Sequence, residues 1–220
     1  MGLLFILEVY TITKNIKGIL LFTIIIIIFF NSGVTFAVQK VNWVNIQQEN
    51  RKKLSRLESN DEIIMAKLNI AIALANQGKI VDSHKIFQEI EDITNRKDFL
   101  KLIQPFKEKL KKDPDNILYL NYTAFSHIIA EDYPSSITYL KKIIKLEEDN
   151  TSIINFLAAS YIQIDNFEKA RYYIHKAQNI EDNDFSSFLM GFIYYKQGNY
   201  FKSLNEFTRS GQLFKYYIID

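Results

Sequence analysis

Residues 182–211 read DNDFSSFLMGFIYYKQGNYFKSLNEFTRSG, and this order of amide, small and aromatic side chains occurs twice more upstream. Asp-Asn pairs stand at Asp115-Asn116, Asp149-Asn150 and Asp182-Asn183, and a small residue follows each Asn by 20 positions, at Ser136, Ala170 and Ser203. The intervals are 34 and then 33 residues. A fixed period of this length marks an array in which each unit is too small to bury its own apolar face and must stack on the next.

Counted from the residue after each Asn, position 8 is Ala124, Ala158 and Gly191, and position 20 is Ser136, Ala170 and Ser203. Position 27 is Ile143, Ala177 and Ser210. Small side chains let two helix backbones approach. Larger ones fill the space between: Leu120, Ile154, Leu157 and Met190 at positions 4 or 7, His127, Tyr161 and Tyr194 at 11, and Leu140, Ile174 and Phe207 at 24. Positions 4, 7, 8 and 11 share one helical face, and so do 17, 20, 24 and 27. Asp132, Asn166 and Asn199 at position 16 are residue types that cap a helix start, so a second helix begins there. Pro134 falls in the first turn of such a helix, where its missing N–H costs nothing.

This pattern resembles the tetratricopeptide repeat (TPR) family over Ile117 to about Leu213. The third repeat is nearest, with Met190-Gly191, Tyr194, Lys196-Gln197-Gly198, Tyr200 and Phe207, although Ser203 and Ser210 stand where the family prefers Ala. The second keeps Leu157, Tyr161, Ala170 and Ala177, while the first puts His127 for the usual Tyr and Ile143 for the usual Ala. The resemblance implies an all-α fold, a TPR-type α-solenoid of stacked antiparallel helix pairs, acting as a protein-interaction scaffold and not as an enzyme. It further implies that positions 2, 5, 9 and 12 of each first helix line a concave groove. The candidate partner-binding residues are therefore Asn121, Phe125, Ile128, Asn155, Ile162, Phe185, Phe188, Phe192 and Tyr195. Family members that clamp a carboxylate place Lys and Arg in this groove, whereas only Lys196 is near it here. An amphipathic helix or an extended apolar segment suits such a surface better, provided that neither an inserted helix nor the tail covers it.

The rest of the chain reads as a preface. Lys14 and Lys17 precede an apolar run over 18–30, followed by Asn31-Ser32-Gly33 and Thr35-Phe36-Ala37. That is the order of a secretory signal cleaved after Ala37, and the run is short for a membrane span of about 20 residues. Residues 1–37 are thus expected to be a signal peptide, or, if uncleaved, an anchor touching the membrane through residues 18–30. The working compartment is then extracytoplasmic, periplasmic or secreted. Residues 38–60 hold Trp43, Ile46, Leu54 and Leu57 among polar side chains, enough for a linker or a marginal helix. Within 61–112, Ala71, Leu74, Gly78, Ile80, Ser83 and Phe87 fit positions 8, 11, 15, 17, 20 and 24 of an amino-terminal hairpin. Ser83 and Ser136 are 53 apart, one period plus 19 residues, so a further helix is inserted. Phe99, Ile103, Phe106 and Leu110 line one face of it, and Pro105 should kink or split it. Three repeats and a tail then occupy 115–220. The tail, Phe214 to Ile219, either folds back over the last helix or offers a contact surface to another chain.

Composition narrows the chemistry. Lys plus Arg number 27 against 25 acids, a balance that argues against a nucleic-acid partner. Cysteine is absent, which excludes thiol chemistry, disulfides and Cys-based metal sites. His84, His127 and His175 fall in three different repeats and do not make a ligand set, and no phosphate-binding or nucleophile motif occurs. No cofactor or metal is expected. The partner is a protein or peptide, with one alternative: a self-associating structural subunit of a cell-envelope assembly, joined through the Phe214–Ile219 tail.

Overall fold

The computed structural model describes Lys40–Ile219, so the signal or anchor expectation for residues 1–37 lies outside the described residues. Eleven α-helices follow one another, with no strand among the described residues. They are α1 (Trp43–Leu54), α2 (Asn60–Asn76), α3 (Ile80–Glu91), α4 (Arg96–Lys112), α5 (Ile117–Ile129), α6 (Tyr133–Leu146), α7 (Thr151–Gln163), α8 (Phe167–Ile180), α9 (Asp184–Lys196), α10 (Tyr200–Arg209) and α11 (Gln212–Phe214). A π-helical turn, Lys215–Ile219, is the last described element. The fold is all-α, with helices packed in consecutive pairs in the TPR manner. Among the described residues no helix is long and apolar enough to cross a membrane.

Capping sets the phase. Asn116, Asn150 and Asn183 each accept a hydrogen bond from the backbone N–H three residues on, at 3.1, 3.1 and 3.0 Å, and start the first helix of each repeat. Asp132, Asn166 and Asn199 do the same for the second helices, at 3.2, 3.2 and 3.3 Å. Each cap satisfies a donor that the helix leaves orphaned, worth about 1 kcal/mol. Between the two caps of every pair, position 15 is left-handed: Gly78 and Gly198 have φ of 73°, Glu131 52° and Asp165 55°. The hairpin turn therefore has one geometry in all four units, whether or not the residue is Gly.

The pairs close through the small residues. Ala124, Ala158, Ser136, Ala170 and Ala177 have no exposed surface, and neither has Ile143, the one larger side chain in the set. Ser203 Oγ donates to the Gly191 carbonyl at 2.9 Å, and Ser83 Oγ to the Ala71 carbonyl at 2.8 Å, both linking position 20 to position 8 twelve residues back. The hydroxyl that replaces a methyl group at these places thus finds a buried acceptor on the facing helix. That contact assigns Ser83 to the same register as Ser203. Gly191 makes room for the ring at position 24: a Cβ there would lie 2.7 Å from Phe207 Cδ1.

The preface is more integrated than a tether. α1 packs on α2, Asn69 Nδ2 donates to Asn50 Oδ1 at 2.8 Å, and Gln77 Nε2 to Gln47 Oε1 at 3.0 Å. α4 buries Phe99, Ile103 and Leu110 against the core and packs on α5. Pro105 does not split α4, which runs unbroken from Arg96 to Lys112. Pro105 is exposed, so water can reach the Lys101 carbonyl that loses its donor. α2 also reaches past α5 to α7, where Asn150 Nδ2 donates to Asn76 Oδ1 at 3.2 Å.

Two glycines in the third repeat separate backbone strain from crowding. Gly198→Ala meets no atom within 4 Å, so it should cost only about 1 kcal/mol for the left-handed backbone, and Gly198→Asn should recover part of that. Gly191→Ala should cost about 1–3 kcal/mol by overpacking against Phe207, and Phe207→Leu should rescue it. Urea unfolding of the four variants checks both; equal losses with no rescue would contradict the assignment.

Candidate partner-binding face

The nine sequence-derived positions do not form one open groove. Asn121, Phe125, Asn155 and Ile162 are buried, Ile128, Phe185, Phe188 and Phe192 are half-buried, and Tyr195 alone is well exposed, at 55%. What the structure brings together is the aromatic stripe of α9. Phe185, Phe188, Phe192 and Tyr195 follow one another at spacings of three and four, which places them on one helical face.

The two amides have structural partners instead. Asn121 Oδ1 accepts from Asn76 Nδ2 at 2.9 Å and its own amide donates to the Ile117 carbonyl, also at 2.9 Å. Asn155 Nδ2 donates to Ser186 Oγ at 2.9 Å and to Asn183 Oδ1 at 3.2 Å. Buried amides need such partners, and here they tie one repeat to the next. Both side chains are fully buried, and Asn155 has both amide hydrogens engaged, so neither is presented to a peptide backbone. Phe125 is removed from the surface in a similar way. Its ring stacks on Phe87 of α3 at 5.9 Å and meets Phe156 edge-on at 4.9 Å, and Phe156 meets Phe185 at 5.2 Å. Neither Phe87 nor Phe156 is among the groove positions, and both are fillers that join successive units.

The tail covers part of what remains. Leu213 is buried, Phe214 stacks on Phe207 with centroids 6.0 Å apart, and Tyr217 lies 5.2 Å from Phe188. The aromatic part of the tail is therefore used within the chain, while Ile218 and Ile219 stay exposed. Burial pushes the Tyr217 phenol up, with Tyr216 adding to the effect. A second apolar surface escaped the sequence reading. On α10, Phe201 is 86% exposed, and Tyr200 and Leu204 are also exposed, with Tyr195 meeting Tyr200 edge-on at 5.9 Å. Leu204 holds position 21, which Ile137 fills as a buried side chain in the first repeat. The signal was in the sequence: position 18 is Pro134, Glu168 and then Phe201.

The histidines stand apart. His175 is exposed and lies 3.1 Å from Gln178 Oε1. His84 is half-buried against Tyr216 and Tyr217, and its burial lowers its pKa, with Glu91 opposing. His127 stacks on Tyr139 at an interplanar angle of 9°, as Tyr161 stacks on Tyr173 at 7° one repeat later. Its Nδ1 lies 3.0 Å from Asp132 Oδ2 without making a directed hydrogen bond. Burial, then Lys107, lowers the imidazole pKa, and Asp132 only partly offsets them. Among the described residues no group of three or more His, Asp or Glu side chains is placed to hold a metal ion. In the basic run before the first repeat, Lys111 pairs with Glu108 at 2.9 Å and Lys109 lies over the Phe106 and Tyr119 rings.

No protein-family profile matches the sequence, and no curated protein matches it. Solved structures do. The crystal structure of MamA protein superposes with a TM-score of 0.50 at 16% identity, covering 81% of this chain and 94% of that one. A MamA fragment from Desulfovibrio magneticus RS-1 gives 0.49 at 17% identity, covering 80% and 95%. The P58(IPK) TPR domain gives 0.39 at 19% identity, covering 78% of this chain and 51% of that one. At these identities the likeness is one of fold. The chain has a TPR-like fold.

The two depressed imidazoles give stability a pH dependence of fixed sign. A His with a folded pKa below 6.5 binds fewer protons than in the unfolded chain, so stability is full well above 6.5 and falls as pH drops through that value towards the folded pKa. Urea midpoints should fall between pH 8 and pH 5.5, and His127→Tyr, which installs the residue of the other two repeats, should flatten the slope. An unchanged slope would show that His127 is not the source.

Proposed function

We propose that this chain is an exported scaffold whose inner face binds a protein segment, a peptide or an amphipathic helix, through the aromatic stripe of α9. The observation that carries this reading is the half-exposure of Phe185, Phe188 and Phe192 together with exposed Tyr195 on one side of one helix. Large, stiff aromatic side chains that are partly desolvated in advance make effective anchors, because little rotamer entropy remains to be lost on binding. Phe192 also carries Lys196 over its ring at 5.6 Å, a cation placed beside the stripe. Export rests on the order Lys14, Lys17, apolar run 18–30, then Thr35-Phe36-Ala37.

A second reading, self-association, is favoured by the exposed Tyr200, Phe201 and Leu204 of α10. Their surface would meet a further helix at the face where α7 covers α6 and α9 covers α8. This moves the self-association surface from the tail to the last helix pair. Light scattering of the chain with Phe201→Glu separates the two readings: an oligomer that this change dissociates supports the second.

Two measurements test the first reading. Phe192→Ala with Tyr195→Ala should abolish site-specific photo-cross-linking to a partner from α9, with the helical circular dichroism unchanged; undiminished cross-linking would remove the stripe from consideration. The mass of the native protein should correspond to a chain beginning at Val38, and a mass retaining residues 18–30 would instead support an anchored form.

A further inference from the structure

The tail leaves the last helix pair through Gly211, whose φ of 52° and ψ of −115° suit a residue without a Cβ. A Cβ there would also come within 2.8 Å of Asp184 Oδ2. The turn directs Leu213 and Phe214 onto α10, and the π-helical turn then carries two tyrosines away from it. Tyr217 sits between Phe188 and His84, with centroids 5.2 and 5.1 Å away. Tyr216 meets His84 edge-on at 5.9 Å, its hydroxyl donates to Gln88 Oε1 at 3.2 Å, and Lys85 Nζ lies 5.3 Å from its ring centroid. His84, Lys85 and Gln88 belong to α3, so one short segment joins the third repeat to the amino-terminal hairpin. Its Ile218 and Ile219 remain exposed, at 51% and 65%.

We propose that this tail is a built-in competitor for the inner face. It occupies Phe188 and the α3 edge, and the segment of another protein that displaces it has the tail's own chemistry: adjacent tyrosines entering between α9 and α3. This deepens the reading of the inner face as a protein-binding surface and rests on it. The contact is of the releasable kind. It involves no ion pair among the described residues, it is made by a five-residue turn, and Ile218 and Ile219 in that turn are exposed. Such a segment opens locally without unfolding the helix pairs, and while closed it competes as a tethered ligand at high effective concentration.

The test uses the full chain and a fluorescent peptide of residues 211–220, GQLFKYYIID. The peptide should bind Gly211→Val, and Tyr216→Ala with Tyr217→Ala, at least about tenfold more tightly than it binds the intact chain, since both variants free the face from its tethered ligand. The chain has no cysteine, so Lys85→Cys with Tyr216→Cys can be joined selectively by a short bis-maleimide. That locked chain should not bind the peptide. Equal affinity for intact and tail-released chains overturns the proposal, and so do binding by the locked chain and an intact chain that dimerises by exchanging tails. Tail-released variants that keep the native melt but take up no peptide overturn it as well. If partner cross-linking still depends on Phe192 and Tyr195 in that case, the inner-face reading survives and only the tail's role falls.

Discussion

The close approach of the two helices in each pair, where position 8 faces position 20, is the contact on which the rest of the structure depends. A side chain larger than Ala or Ser at either place would push the helices apart, and every other spacing in the array would change with them. The hydroxyls of Ser83 and Ser203 turn this steric condition into a directed one, because each donates to the carbonyl opposite. The caps at positions 0 and 16 fix where each helix starts, and the left-handed residue at position 15 fixes the turn between them. Local signals and long-range packing therefore agree, which is the condition for a sequence to specify one arrangement.

Once the pairs are set, their stacking is decided by what fills the seams. The half-buried amide of Asn76 and the buried amides of Asn121 and Asn155 bridge neighbouring units, and a chain of phenylalanine contacts runs from Phe87 through Phe125 and Phe156 to Phe185. Polar seams of this kind specify register as well as adding stability, since a slip would leave buried amides unpaired. The arrangement uses much of the inner side for cohesion, and the aromatic surface that stays exposed is concentrated on α9 and the neighbouring α10.

The helix pairs were legible in the sequence because their determinants are local. The three caps of the second helices, the small residues at positions 8 and 20 and the insertion of α4 all follow from spacing along one chain. The candidate site was legible only in part. Position 5 of a first helix carries Asn121, Asn155 and Phe188, and nothing local distinguishes an amide facing solvent from one bonded to a neighbouring unit. The partners of Asn121 and Phe125, Asn76 and Phe87, come from the amino-terminal hairpin, whose path past the inserted helix no repeat template contains. Pro105 does not split its helix, because the Lys101 carbonyl that loses its donor can reach water.

α9 and α10 present an apolar and aromatic surface, with Tyr195, Tyr200, Phe201 and Leu204 exposed. The position of that surface presupposes that successive pairs are equivalent and stacked in one direction. Thr138, Tyr172 and Asn205 occupy position 22 of the three repeats and are all exposed, and a chain without cysteine accepts spin labels at chosen pairs of them. The stacked array predicts matched distances for 138–172 and 172–205, with 138–205 substantially longer than either. Adjacent distances that differ by a helix diameter, about 10 Å, would mean that the helices pack around a common centre and would contradict the account.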